Sequence, residues 1–344
     1  VSDLAPIPDE ENATMTHPPA ATPIAPTTAP AGPTPSAELL GTPWAVDRAD
    51  GTPFSKDPSV IRLGDRYLMY FTLPPEEPSA QRGWHVGIAE SHDLRTWTLA
   101  GRLRPSGDAE ARGLAAPGAV VLDGVVHLFY QSYGNGPLDA ICHAWSQDGV
   151  TFIRDATNPV FRPTGSWNCG RAIDADVVVD GDRLLLAYAT RDPQMRVQML
   201  GVAAAPLDSD FGAAAWRDLS LDAPALAPEL PWELECIEAP AFVRRGEQLV
   251  MFYAGGYNNE PQQIGYAVSE DGVRWTRGTT EPFLPNGEPG SWNSSESGHP
   301  GAFTDDDGRT YLFFQGNDTR GRTNFLAATE IHWDGDRPRL SQST

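Results

Sequence analysis

"DPSVIRLGDRYLMYFT", residues 57–72, reads as strand, turn, strand. Apolar side chains fill both arms. Gly64-Asp65 between them is a tight-hairpin signal, because glycine reaches the positive φ such a turn demands. The pattern returns as "APGAVVLDGVVHLFYQ" from Ala116, "DADVVVDGDRLLLAYA" from Asp174, "EAPAFVRRGEQLVMFYAG" from Glu238 and "HPGAFTDDDGRTYLFFQG" from His299. The interval is about sixty residues each time, which leaves room for a second hairpin in every unit. Those hairpins are "HVGIAESHDLRTWTLAG", "CHAWSQDGVTFIRD" and "IGYAVSEDGVRWTRG", each with Ser-x-Asp leading to Trp or Phe. The aromatic is expected to pack between neighbouring sheets. The third copy, "MLGVAAAPLDSDFGAAAWRD", is degenerate. Five copies of a four-stranded unit predict an all-β fold, a five-bladed β-propeller over residues 41–344; a β-sandwich does not repeat this regularly.

Residues 1–40 differ in kind. They are rich in Pro, Ala and Thr and nearly free of aromatics, a composition that cannot bury a core, so an extended Pro-rich N-terminal tail or linker is expected. No charged-then-apolar leader opens the chain at Val1. Tails of this kind commonly follow a removed export signal or lipid anchor, which points to a secreted or cell-surface protein. No apolar run approaches the roughly 18 residues of a membrane-spanning helix. The net charge of −21 argues against nucleic acid and anionic lipid as partners, whose phosphates it would repel, and suits a neutral substrate. The three cysteines show no CxxC spacing. They read as small buried residues, the other reading being a Cys169–Cys236 pair between neighbouring blades.

In a propeller the start of each innermost strand rings one mouth of the central channel. The repeat places Asp57, Ala116, Asp174, Glu238 and His299 there. "GSWN" precedes two of them, at 165–168 and 290–293, six residues ahead of Asp174 and His299 respectively. The structural unit is copied while the ionisable residue varies, so the repeat is scaffold and the variable position carries chemistry. Three carboxylates and an imidazole at equivalent positions fit capping of solvent-exposed turns poorly. Converging carboxylates suit glycoside hydrolysis, in which one donates a proton to the leaving oxygen and another acts as base or nucleophile. Like charges set close together raise the pKa of one of them, which supplies the proton donor.

The motifs "KDPSV", "AIDADVV", "IEAPAF" and "SGHPGAF", in this order and at blade spacing, resemble glycoside hydrolase family 43 and its relatives, among them arabinanases, arabinofuranosidases and xylosidases. The resemblance covers about residues 50–330. It implies Asp57 as general base, Glu238 as general acid, and Asp174 as the residue that orients and tunes that acid. His299 matches the family's axial histidine, which implies a calcium ion or water cluster in the channel with His299 as a ligand. Asp174 is followed by Ala175 where the family often has Pro, so Asp176 stands as an alternative to Asp174, and Glu235 likewise to Glu238. "RDP" at 191–193 and Glu235-Cys236 are similar to motifs of the retaining, fructan-cleaving propellers, although "RDP" falls at a different place in the blade. Arg191 could still contact a substrate hydroxyl or carboxylate.

Trp167 and Trp292, each seven residues ahead of an axial position, are candidates for stacking on sugar rings or for plugging gaps between blades. Phe54 and Tyr133 are candidate pocket walls, while Trp84, Trp97 and Trp275 read as structural. The loops 74–83, 133–139 and 256–262 would shape the mouth. The activity implied is an inverting α-L-arabinofuranosidase, arabinanase or β-xylosidase on a neutral poly- or oligosaccharide. The alternatives are a retaining β-fructosidase and a non-catalytic glycan-binding propeller. A sialidase fits less well because "SQDG" and "SEDG" are structural turns, and a phosphorylase would need a basic pocket.

Overall fold

The computed structural model describes residues 37–76 and 83–341. Residues 1–36 of the Pro-rich tail and residues 77–82 of the loop 74–83 lie outside them. Five four-stranded antiparallel sheets, each a simple meander, form the five blades of a propeller. The inner strands are Lys56–Leu63, Leu114–Leu122, Ile173–Asp180, Ile237–Arg245 and Glu296–Thr304, one for each of blades 1 to 5. Apolar clusters fill the spaces between adjacent blades. The turn aromatics pack there: Trp97 against Phe313 of blade 5, Phe152 against Tyr70 of blade 1, and Trp275 beside Leu185 of blade 3. Their turns are tied by Ser91–Asp93, Ser146–Asp148 and Ser269–Asp271 hydrogen bonds.

Every inner strand carries a bulge at the same place. The residue at it takes a left-handed backbone: Asp57 (φ 55°), Ala116 (44°), Asp174 (52°), Ala239 (48°) and His299 (41°). That conformation is strained for residues with a Cβ and persists only where the surroundings enforce it. Side chains from the preceding blade do so in four cases. Gln315 accepts the Asp57 N–H (3.0 Å), Thr72 that of Ala116 (2.7 Å), Gln131 that of Asp174 (2.8 Å) and Gln262 that of His299 (3.2 Å). In blade 4 the bulge falls on Ala239, which corrects the repeat register expected from sequence. Glu238 stands one residue earlier, equivalent to Lys56, Ala115, Ile173 and Gly298. The prolines mark the true register, since Pro240 aligns with Pro58, Pro117 and Pro300.

Past the bulge the inner strands are stitched side by side. Ser59 accepts the Ala119 N–H at 3.1 Å and Asp176 accepts the Phe242 N–H at 2.7 Å. Gly118 and Gly301 allow the closest approaches. A Cβ on Gly301 would sit 1.9 Å from the carbonyl oxygen of Pro58, and one on Gly118 2.1 Å from that of Ala175. Gly301→Ala is therefore expected to cost about 1–3 kcal/mol through overpacking against rigid backbone, seen as a melting temperature several degrees lower. An unchanged midpoint would show that the inner strands part more easily than this packing allows.

The ring closes between blades 5 and 1. Arg62 and Tyr67 both reach Asp305, at 2.9 and 2.6 Å. Residues 37–40, drawn with the tail from sequence, pair with blade 5 instead: Leu39 bridges Thr329, Leu40 donates to Ala328, and Trp44 bridges Leu326. All three cysteines are free thiols. Among the described residues no helix is long and apolar enough to cross a membrane.

Candidate active site

The bulges aim their side chains into the head of the channel, where Asp57, Ala116, Asp174, Ala239 and His299 line one cavity. His299 sits between two acids. Its Nδ1 lies 2.7 Å from Asp57 Oδ1 and its Nε2 3.0 Å from Glu238 Oε1. Donor atoms of Asp174, Glu238 and His299 lie within 4.8 Å of one another, and all three residues are buried. The structure thus brings together Asp57, Asp174, Glu238 and His299.

Burial alone would strip His299 of its proton, but Asp57 and Glu238 on opposite nitrogens outweigh it and hold the imidazolium well above its ordinary range. Burial likewise opposes charge on Asp57. The His299 and Lys56 cations prevail and keep its carboxyl well below the usual range. For Glu238 burial favours the acid form, yet the His299 hydrogen bond and charge and the Gln262 hydrogen bond leave its carboxyl lowered. The resting site holds its proton on the His299 side of the 3.0 Å contact with Glu238.

Glu238 is also cradled by amides. Gln198 Nε2 donates to its Oε2 and Gln262 Nε2 to its Oε1 at 2.6 Å. Gln198 Oε1 accepts from Arg191 Nε at 2.9 Å, and the Arg191 guanidinium lies 5.5 Å from the Tyr257 ring. Arg191 thus contacts the same Gln198 amide that donates to Glu238. Asp192 of "RDP" caps its own turn, accepting from Arg196 and Val197. On the base side, Gln315 joins the Asp57 backbone to Glu296, which is fully buried.

Sequence reasoning passed over Lys56, Gln198, Gln262, Gln315 and Glu296. A signal was present: Gln131 and Gln315 end "LFYQ" and "LFFQ" at one repeat position, polar residues closing otherwise apolar strands. Lys56, the only lysine in the chain, is buried at the position equivalent to Glu238.

The alternatives Asp176 and Glu235 fall elsewhere. Glu235 is exposed; the buried acid of that loop is Glu233, bound to Arg277 (2.7 Å) and Tyr253 (2.7 Å). Asp176 lines the channel wall half-buried, and its bond to Phe242 makes it a strut between blades. Burial pushes its carboxyl up to about 7, above the roughly 3.9 of an unfolded Asp. Below the unfolded value both states are protonated and nothing is lost. As pH rises towards 7 the unfolded chain ionises while the folded chain resists, so stability falls and stays low above that range. Asp176→Asn, which keeps an acceptor for Phe242, is expected to raise the melting temperature at pH 8 and leave it unchanged near pH 4. Equal shifts at both pH values would contradict a neutral Asp176.

The aromatic candidates each have packing partners within and between the blades. Trp292 packs on Phe314 (5.8 Å) and over Gly316 within the blade 4–5 core. Trp167 is half-buried, its indole N–H donated to Ser220 O at 2.5 Å. Phe54 is buried in a row of rings, 6.0 Å from Trp84, which is 5.4 Å from Tyr133. Calcium fits the residues present poorly. The ion takes six to eight hard oxygen ligands, whereas the cluster offers two carboxylates and an imidazole whose two nitrogens both face acids.

Among solved structures the chain is similar to an α-L-arabinofuranosidase from Lactobacillus brevis, at 14% identity and a TM-score of 0.63 over 87% of this chain and 98% of that one. It is also similar to an exo-1,5-α-L-arabinanase from a bovine ruminal metagenomic library (17%, TM-score 0.60, 86% and 100%). A family 32 β-fructofuranosidase from Bombyx mori matches as well (15%, TM-score 0.64, 85% and 63%). At these identities the likeness establishes the fold. No curated protein matches significantly. The sequence profile of glycosyl hydrolases family 43 matches residues 51–337, nearly the whole propeller. The chain belongs to glycosyl hydrolases family 43 and is a glycosidase.

Proposed function

We propose that this glycosidase releases a neutral pentosyl unit, α-L-arabinofuranosyl or β-xylosyl, from a glycan with inversion of configuration. Glu238 is the general acid, Asp57 the general base and Asp174 the neighbour that tunes the acid. One observation carries the reading: His299 stands between the two carboxylates, one on each ring nitrogen. The imidazole interposed between the two acids keeps them out of direct contact, as an inverting pair that must leave room for an attacking water requires.

The lowered carboxyl of Glu238 is the opposite of what a general acid needs. The proton it requires is one hydrogen bond away on His299 Nε2. Moving it leaves a neutral imidazole beside an ionised Asp57, with the total charge unchanged. Asp174, within 4.8 Å, favours protonated Glu238 by like-charge repulsion. Glu238 then gives the proton to the leaving oxygen while Asp57 takes one from water. A neutral unit is favoured because the acids of this pocket repel a carboxylate. The named activities of the Lactobacillus brevis and ruminal neighbours support the pentose assignment. No step runs through calcium. Action outside the cell, for which the Pro-rich tail speaks, belongs to the same proposal and is checked by locating the protein in fractionated cultures of its source.

The test is sugar release by the full chain from arabinan, arabinoxylan, xylo-oligosaccharides and fructan. Arabinose or xylose is expected. Release of fructose alone, or of no sugar, would contradict the reading.

A further inference from the structure

Outside the channel, blade 1 holds a cavity of about 260 Å³ lined by Arg48, Phe54, Leu73, Pro74, Glu76 and Arg102 among others. It lies just under the roughly 300–1,000 Å³ of ordinary ligand pockets, a size for a single sugar unit. Its place follows from the meander. Inner strands begin at the catalytic mouth, second strands end there, third strands begin there and fourth strands end there. Phe54 precedes Asp57 by three residues, Leu73 closes the second strand, and Arg102 is next to last in the fourth. The cavity therefore opens on the same face as the four-residue cluster.

Its polar lining sets two arginines, Arg48 and Arg102, beside two acids, Asp47 and Glu76, where the catalytic pocket is dominated by acids. The Arg48 guanidinium lies 4.0 Å from the centre of the Phe54 ring. Its buried Nε finds no acceptor among the described residues. Arg102 donates Nη1 to His85 Nε2 at 2.9 Å, while His85 Nδ1 faces Gly83 O at 3.0 Å. The second contact requires the proton on Nδ1, so the imidazole is a neutral acceptor and supplies no charge to offset that of Arg102. Glu76 is taken up mainly by Arg104, at 2.6 Å against 3.8 Å to Arg102. The other acid on the wall, Asp47, is exposed. In a chain of net charge −21, two guanidiniums lining one cavity with an aromatic ring are selective chemistry. Guanidinium pairs with carboxylate through paired N–H donors, and a ring supplies the apolar face that a sugar stacks on.

We propose that this cavity is a subsite for a uronate unit of the substrate glycan, its carboxylate held by Arg48 and Arg102 and its ring set against Phe54. The proposal rests on the glycan-cleaving reading given above and divides the substrate between two sites. The cleaved unit is neutral and enters the acid-lined channel; a neighbouring unit is acidic and binds on blade 1.

The test is binding without turnover. The full chain carrying Glu238→Gln is titrated with methyl β-D-glucuronide and with methyl β-D-glucoside, which differ only in the carboxylate. The glucuronide is expected to bind about tenfold or more tightly, with a preference that weakens as salt rises. Adding Arg48→Gln or Arg102→Gln should each abolish most of that preference. Arg102 is partly exposed, so its substitution tests the idea even if the Arg48 variant folds poorly. Equal binding of the two glycosides, no binding of either, or a preference that survives both substitutions would overturn the subsite. Failure of the pentosidase reading would show separately, as no pentose released from any glycan, and would not alter this titration.

Discussion

Glu238→Gln is expected to lower kcat on a natural glycan by roughly 10²–10⁴-fold, the usual contribution of a general acid. On the proposed mechanism the cause is loss of the proton that crosses from His299 Nε2 to the leaving oxygen by way of Glu238 Oε1, 3.0 Å from that nitrogen. Leaving-group dependence separates this from simple damage. A 4-nitrophenyl pentoside departs as a stable phenolate without needing a proton, so its turnover should fall far less than that of the glycan. The high-pH limb of the rate profile, where wild type loses its protonated acid, should vanish as well. The substitution has a local cost, because a glutamine amide presents an NH₂ group towards donors from Gln198 and Gln262. One of these amides must turn, which is expected to disturb KM modestly. Equal losses on the glycan and the aryl glycoside would remove Glu238 from the acid role.

Asp57→Asn should cost a similar factor, but on every substrate alike. Water must be deprotonated whichever group leaves, so the aryl pentoside gains no exemption. The proposed base role of Asp57 requires its ionised form, and the His299 and Lys56 cations hold its carboxyl well below the usual range. Wild type should therefore keep its base down to strongly acid pH, and the limb should disappear in the variant. A second effect follows from the contact with His299 Nδ1. Without the Asp57 charge the imidazolium loses its larger support, so the proton passes more readily to Glu238. Loss of that negative charge also lets the proton shared by His299 and Glu238 leave the pair more easily, so the variant should show its acid limb at lower pH than wild type. An unmoved limb would mean that the two carboxylates do not communicate through His299.

Much of the fold could be read in advance because it rests on a repeated local pattern. Alternating apolar runs around Gly64-Asp65, Asp123-Gly124 and Gly181-Asp182 define hairpins by turn chemistry alone, and the repeat then requires the meander. The site was legible in its charged members, Asp57, Asp174, Glu238 and His299, which the bulges bring together. The register of Glu238 was not. Its place beside the bulge is a backbone irregularity, and only the aligned prolines betray it. The amide cradle escaped notice for another reason. Gln198 and Gln262 come from blades 3 and 4 and meet only because neighbouring blades fold against each other. The tryptophans went the other way. Trp292 has the spacing to reach the mouth, but Gly316 opens a flat surface on the second strand of blade 5 that the indole fills.

The anomer of the first-formed sugar tests the central claim most directly. Proton NMR recorded within seconds of adding enzyme to an arabinofuranosyl or xylosyl substrate distinguishes the two anomers before they equilibrate. Water attacking between carboxylates held apart by His299 predicts the inverted anomer, β-arabinofuranose from an α-linked arabinoside or α-xylose from a β-linked xyloside. The retained anomer would require a covalent intermediate on a carboxylate about 5 Å from the acid, and would contradict the roles assigned to Asp57, His299 and Glu238.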